Sequence, residues 1–265
     1  MIIDGKKIAQ KIKEEIRALA KDVASASLVI FYVGENPVIE SYLAMKKKVG
    51  AELGIAVEVK RFPGDVAEDF LISEIKKSSA EYSGAIVQLP LPPGFDKQKI
   101  LDSVPYEKDV DVLSRDAFLK FKAGETEKLP PVVFAISSMI KEYNIELSGK
   151  NIVIIGRGAL VGAPVSAWLS RGGFGHQTLD KDSDNNLELI KNADVIISGV
   201  GEPNFIKPEM LKDGVVLFDA GTSTSGGKLA GDIDPACYEK SGLVSPVPGG
   251  IGPLTVVGLF KNLFL

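Results

Sequence analysis

Ile152-Val153-Ile154-Ile155-Gly156-Arg157-Gly158-Ala159-Leu160-Val161-Gly162-Ala163-Pro164 is the stretch that decides the fold. The unbroken aliphatic run 152–155 predicts a strand buried on both faces. A glycine turn follows, then a segment that reads as a helix. Glycines at such a turn let backbone approach a pyrophosphate, and the free N–H groups at the helix start face the anion. The spacing differs from GxGxxG, because Val161 stands where the third glycine would be and Gly162 follows. An ordinary tight turn of an α/β domain is the competing reading of the loop alone; the strand before it and the helix after it favour the dinucleotide site.

Working outward, Asp194–Ser198 and Val215–Asp219 read as further strands, and Gly252–Leu265 as a closing helix. Upstream, residues 4–22 form an amphipathic helical pattern. Ser27–Val33 is a nearly continuous apolar strand. Pro37–Leu53 reads as a helix, with Asn36 able to cap it, Pro37 suited to its first turn and Gly54 to its end. Ala56–Phe62 alternates as a strand, Ala67–Ser78 is helical, and Gly84–Gln88 is a third strand. Strands separated by helices imply parallel sheets with right-handed crossovers. The segment Ser114–Pro131 reads as irregular and leads into a helix at Ala135–Tyr143, which places the hinge there. The expected fold class is α/β: two three-layer domains with mainly parallel sheets, the second Rossmann-like. The boundaries expected are 1–113 plus 250–265 for one domain and 114–249 for the other.

Composition narrows the function. The chain has 265 residues, enough for two domains of ordinary size. A net charge of -4 gives no basic footprint, so nucleic acid is not the expected partner. The single cysteine, Cys237, suits a reducing, cytoplasmic compartment. The opening MIIDGKKIAQ lacks the apolar core of a signal peptide, and no apolar run approaches the ~20 residues of a membrane span. One histidine, His176, argues against a histidine-rich metal site, and no metal is expected.

Several residues outside the glycine loop are candidates for chemistry. Tyr42 and Lys46 share one helix face. A lysine beside an aromatic ring in a partly dry cleft can have a lowered pKa and move protons. On spacing alone, the Lys46-Lys47-Lys48 run reads as a solvated face instead. Gln88 ends the third strand in Val87-Gln88-Leu89-Pro90-Leu91-Pro92-Pro93, where ligands of open α/β sheets sit. Lys108-Asp109-Val110-Asp111 puts two carboxylates in one loop. Ser245-Pro246-Val247-Pro248-Gly249-Gly250-Ile251-Gly252-Pro253-Leu254-Thr255 is a tightly specified loop that offers backbone donors with little side-chain bulk.

In this order, the segments Ser41–Lys46, Gly54-Ile55, Val87–Pro92, Lys108–Asp111, Gly156–Pro164 and Pro246–Pro253 resemble the methylenetetrahydrofolate dehydrogenase/methenyltetrahydrofolate cyclohydrolase family, over nearly the whole chain. The resemblance implies a cytosolic homodimer acting on tetrahydrofolate derivatives. It implies oxidation of methylenetetrahydrofolate with NAD(P), then hydrolysis of methenyltetrahydrofolate to the 10-formyl form. Carried over, Lys46 is the main proton-transfer residue, Tyr42 packs on the folate ring system, Gln88 bonds and tunes Lys46, and Asp111 anchors the pterin. Leu89, Pro90, Pro248, Gly249, Gly250 and Pro253 line the substrate. Gly156, Arg157, Gly158, Val161, Gly162, Asp180, Lys181, Gly199 and Thr222 hold the cofactor. The chain departs from the family pattern at Val112, usually glycine, at Pro131–Ile136, and at Gly158, usually serine.

Cofactor choice turns on two readings. An acidic residue ~20 residues past the glycine turn bonds the ribose hydroxyls of NAD, and Asp180 stands at about that distance. Arg157 and Lys181 are cations able to clamp a 2′-phosphate. NADP is the expectation, with NAD open. Two other functions fit the glycine loop: a dehydrogenase of another small metabolite, of amino-acid or shikimate type, and a non-catalytic dinucleotide-binding protein.

Overall fold

The computed structural model describes residues 1–22, 26–180, 186–225 and 228–265. In chain order its elements begin with α1 (Gly5–Asp22), β1 (Ser27–Val33), α2 (Pro37–Leu53), β2 (Ala56–Phe62), α3 (Glu68–Ser79), β3 (Gly84–Val87), α4 (Lys97–Leu101) and α5 (Arg115–Ala123). They continue with α6 (Pro131–Tyr143), β4 (Ile152–Ile155), α7 (Gly162–Arg171), β5 (His176–Leu179), α8 (Asn186–Asn192), β6 (Val195–Ser198), β7 (Val215–Asp219), β8 (Ser223–Ser225), β9 (Lys228–Ala230), β10 (Ser241–Ser245) and α9 (Ile251–Lys261). The chain divides into two compact units. One comprises residues 11–130 and 256–265, the other 1–10 and 131–255.

The unit of residues 11–130 and 256–265 is built on a parallel sheet of order β2-β1-β3. Its central strand is buried from Leu28 to Val33 because each of its faces meets apolar side chains, including Leu71, Ile75, Ile100 and Leu101 on one of them. Asn36 caps α2 as expected, accepting from the N–H groups of Val38 and Ile39, and Gly54 closes it in the left-handed conformation. The ladder carries past β3: the Gln88 N–H donates to Phe31 O at 2.9 Å, and Asp109 bridges to Ala85 on the other side. Gln88 and the Lys108–Asp111 loop are thereby fixed to the sheet.

Residues 114–130 are not irregular. Ser114 caps α5 by accepting from Ala117 N–H, and Gly124 ends it at φ 78. This segment stays in the first unit, tied by buried Asn262, whose Nδ2 donates to Val110 O and Leu129 O at 2.8 Å each. The contact boundary therefore falls between Pro130 and Pro131, beyond the 113/114 expected, and α6 begins at Pro131 rather than Ala135.

The second unit holds a five-stranded parallel sheet, β10-β7-β6-β4-β5, and the antiparallel pair β8–β9. Residues 1–4 join it because Ile3 N–H donates to Val244 O at 2.8 Å and Val244 N–H to Met1 O at 3.0 Å, alongside β10. From β4 the chain crosses to β5 on one side and then to β6 on the other. The chain leaves β4 toward one side and its next crossover, from β5, returns past β4 to the other, so a crevice opens at the carboxyl end of β4, where ligands of such sheets bind. The Gly156 loop occupies that end. Among the described residues, no helix is long and apolar enough to cross a membrane.

Candidate active site

In the first unit, α2 brings Tyr42 and Lys46 to one face, one turn apart. Lys46 is 8% exposed, and its Nζ donates to Gln88 Oε1 at 2.7 Å. The Gln88 amide is itself oriented: its Nε2 donates to Leu89 O at 2.7 Å, which turns the carbonyl oxygen toward the lysine. Burial lowers the Lys46 pKa, and the nearby charge of Asp111 offsets part of that fall. Burial raises Asp111 to about 6, with Lys46 pulling it down and Asp109 pushing it up. Lys46, Gln88 and Asp111 thus form one electrostatic cluster, with Tyr42 half-buried beside it. The reading of Lys46–Lys48 as a uniformly solvated face fails at Lys46; Lys47 and Lys48 are exposed. Leu89 is half-buried and Pro90 exposed at the turn that follows Gln88.

The loop that carries Asp111 holds a feature the residue pattern did not show. Asp109 is 3% exposed and accepts from the N–H groups of residues 111 to 114 at 2.8–3.1 Å. Val112, which replaces the expected glycine, sits at φ 57. A left-handed backbone costs a β-branched residue about 1–2 kcal/mol.

The second unit carries the cofactor candidates. Gly156 has φ 99, and a Cβ there would lie 2.7 Å from Gly199 O; a Cβ on Gly162 would collide with the Gly156 carbonyl. The loop, the start of α7 and the end of β6 therefore pack closer than any side chain permits, and Val161 fills the space against Gly199. A Cβ at Gly158 would instead meet nothing within 4 Å, so that position faces open space. This tight turn at the carboxyl end of β4, followed by a helix N-terminus, fits a dinucleotide pyrophosphate. Thr222 is exposed after β7. Asp180 directly follows β5, and Leu179 O accepts from Gly156 N–H at 2.8 Å, which sets Asp180 beside the glycine loop. Arg157 is already engaged: Nε donates to Asp180 Oδ2 and Nη2 to Thr178 O, both at 2.8 Å. Lys181 lies outside the described residues.

Two buried carboxylates brace this end of the sheet, and sequence reading missed both. Asp232 accepts from Ser198 Oγ and from the N–H groups of Val200, Gly201 and Glu202 at 2.7–3.0 Å. Asp219 accepts from the N–H groups of Gly221, Asp232 and Ile233 at 2.9–3.0 Å, and burial raises its pKa to about 6. The signal available was the pairing of each aspartate with nearby glycines, Asp219 with Gly221 and Gly231 with Asp232. In the tail loop, Gly250 N–H donates to Pro246 O at 2.7 Å and Gly249 has φ 108. Pro248 is exposed and Pro253 half-buried, while Gly250 is buried against the Gly5 backbone. Among the described residues, no group of His, Cys, Asp and Glu is placed to hold a metal ion.

Residues 3–111 match the family model of the tetrahydrofolate dehydrogenase/cyclohydrolase catalytic domain, and residues 130–265 that of its NAD(P)-binding domain. The chain belongs to the tetrahydrofolate dehydrogenase/cyclohydrolase family. The bifunctional protein FolD of Lactobacillus gasseri is 36% identical over 268 residues, spanning 98% of this chain and 95% of that protein. That of a Hydrogenobaculum species is 36% identical over 98% of this chain and 96% of its own. Among solved structures, the bifunctional FolD methylenetetrahydrofolate dehydrogenase/cyclohydrolase of Campylobacter jejuni superposes with a TM-score of 0.94 at 32% identity, covering 100% of this chain and 97% of that one. The Trypanosoma brucei enzyme, solved with NADP and an inhibitor, gives 0.91 at 26% identity over 99% and 95%.

Proposed function

We infer that this family member oxidises methylenetetrahydrofolate to methenyltetrahydrofolate with NADP, and hydrolyses the methenyl form to 10-formyltetrahydrofolate. The observation that carries the reading is the buried Lys46–Gln88 pair. Burial increases the neutral fraction of Lys46 at a given pH. A neutral amine that donates one N–H to Gln88 Oε1 keeps its lone pair for a proton, so Lys46 takes the proton of the water that attacks the methenyl carbon. Tyr42 gives the folate ring system a flat surface to pack on, and Asp111 anchors the pterin. Leu89 and Pro90, at the turn after Gln88, complete the substrate site of this unit in this reading.

The cofactor would be held by Gly156, Arg157, Gly158, Val161, Gly162, Asp180, Gly199 and Thr222. NADP, when bound, supplies the hydride acceptor. Hydride transfer asks no acid of the protein, only that the reactants be held face to face. We assign the folate chemistry to the amino-terminal domain with the last helix and the dinucleotide to the domain between them. The enzyme would act as a cytoplasmic homodimer, in keeping with its family and with a lone buried Cys237 whose thiol burial raises to about 11; light scattering giving a monomer mass would refute the dimer. The direct test mixes the protein with methylenetetrahydrofolate and NADP and follows absorbance. Reduced cofactor and a transient methenyl product are expected; the appearance of neither would overturn the reading.

A further inference from the structure

Asp109 is assigned no part in the chemistry, yet its carboxylate organises the loop that carries Asp111. Oδ1 accepts from the Asp111 and Val112 N–H groups at 3.1 and 2.8 Å, and Oδ2 from Leu113 and Ser114 at 3.1 and 2.8 Å. The Ser114 side chain adds a further hydrogen bond. Successive amides turned onto one carboxylate force a tight turn, and Val112 is bent into the left-handed region where a branched side chain is disfavoured. Asp109 itself is anchored by its bridge to Ala85 beside β3. Asp111, the carboxylate whose charge holds Lys46 up against burial, sits at the first clamped amide.

We propose that Asp109 is a positioning residue of the hydrolytic site: by clamping the backbone of residues 111–114 it holds Val112 left-handed and keeps Asp111 close to Lys46. The proposal rests on the reading of Lys46 as the proton-transfer residue. The other charged groups near this clamp are Lys128, whose Nζ donates to Glu107 O at 2.6 Å and feels the charge of Asp109, together with Glu107 and Lys108. Against Lys46 the group of consequence is Asp111. If the clamp loosens, Asp111 moves off and the Lys46 pKa falls further. The pH–rate curve for methenyl hydrolysis then moves to lower pH. A purely structural role would lower melting temperature and active fraction and leave that curve in place.

The test compares methenyltetrahydrofolate hydrolysis across pH in the wild type, Asp109→Asn, Ser114→Ala and the double variant Asp109→Asn/Val112→Gly. Asparagine keeps the shape of the side chain and presents an NH2 to two of the four amides. Asp109→Asn is expected to raise KM about tenfold or more, as misplacement of a substrate anchor does, and to shift the curve to lower pH. Ser114→Ala shifts it less, in the same direction. Val112→Gly in the double variant restores most of the loss, because glycine takes the left-handed backbone unaided. A folded Asp109→Asn enzyme with wild-type KM and wild-type pH curve overturns the proposal. If that variant does not fold, a Ser114→Ala curve identical to wild type overturns it, and a shifted one supports it. Absence of hydrolysis in the wild type would instead sink the reading of Lys46.

Discussion

Removing the Gln88 side chain isolates the interaction on which the proposed hydrolysis depends. Gln88 Oε1 is 2.7 Å from a Lys46 Nζ on a residue only 8% exposed. A hydrogen bond from a charged group is worth about 1.5–3 kcal/mol. The neutral amine keeps a weaker form of the same bond, worth about 0.5–1.5 kcal/mol, so losing the bond lowers the Lys46 pKa, less whatever a water entering the vacated space restores. Gln88→Ala should therefore shift the rising limb of the pH–rate curve for methenyltetrahydrofolate hydrolysis toward acid. Its plateau should fall about tenfold, since a weaker base is also no longer oriented. Gln88→Glu serves as the sign control: a carboxylate at the same place favours the ammonium and moves the limb toward alkali. Absorbance decay of the methenyl compound, corrected for its uncatalysed hydrolysis, reads both curves. Two variants with the wild-type midpoint, or an alkaline shift in Gln88→Ala, would refute the reasoning.

Two further outcomes follow from the charges described. Arg157→Ala should lower kcat/KM for NADP more than for NAD, because it removes a cation and leaves Asp180 to repel a 2′-phosphate; equal losses would show that Arg157 does not read that phosphate. Asp219 and Asp111 are raised from 3.8 to about 6 in the folded state. The native protein then binds protons more tightly than the unfolded chain between about pH 4 and 6, so stability falls as pH rises through that window. For Asp219, 1% exposed, the cost at neutral pH is on the order of 3 kcal/mol. The urea midpoint should be higher at pH 5 than at pH 7, and a lower one would contradict it.

Much of the fold is legible in the sequence because its signals are local. The run Ile152–Ile155, the cap Asn36-Pro37 and the stop Gly54 each act within a few residues, and β4 and α2 begin and end where they indicate. Helix α5 was missed although Ser114 and Gly124 bracket it, because a helix of 9 residues carries few apolar positions to set a period. The division between the units falls at Pro130/Pro131, inside the expected hinge segment but beyond 113/114, for a non-local reason: Asn262, far along the chain, bonds Val110 and Leu129. Lys46 could not be told from Lys47 and Lys48 by spacing; only its burial against Gln88 separates them. Asp109 was not legible as an organiser because its partners are backbone amides, and any residue type except proline supplies one. Asp180 lies beside the Gly156 loop, and its pairing with Arg157 depends on side-chain reach across β4 and β5.

The central claim is that Lys46 performs proton transfer in hydrolysis and takes no part in holding the dinucleotide. Lys46→Met keeps the length and apolar stem of the side chain and deletes the amine. Methenyltetrahydrofolate hydrolysis and calorimetric NADP binding should be measured on the same preparation of this variant. The account predicts hydrolysis reduced by at least about 10²-fold, the lower end of what a positioned acid–base group contributes, with NADP affinity unchanged. Hydrolysis near the wild-type rate would contradict it.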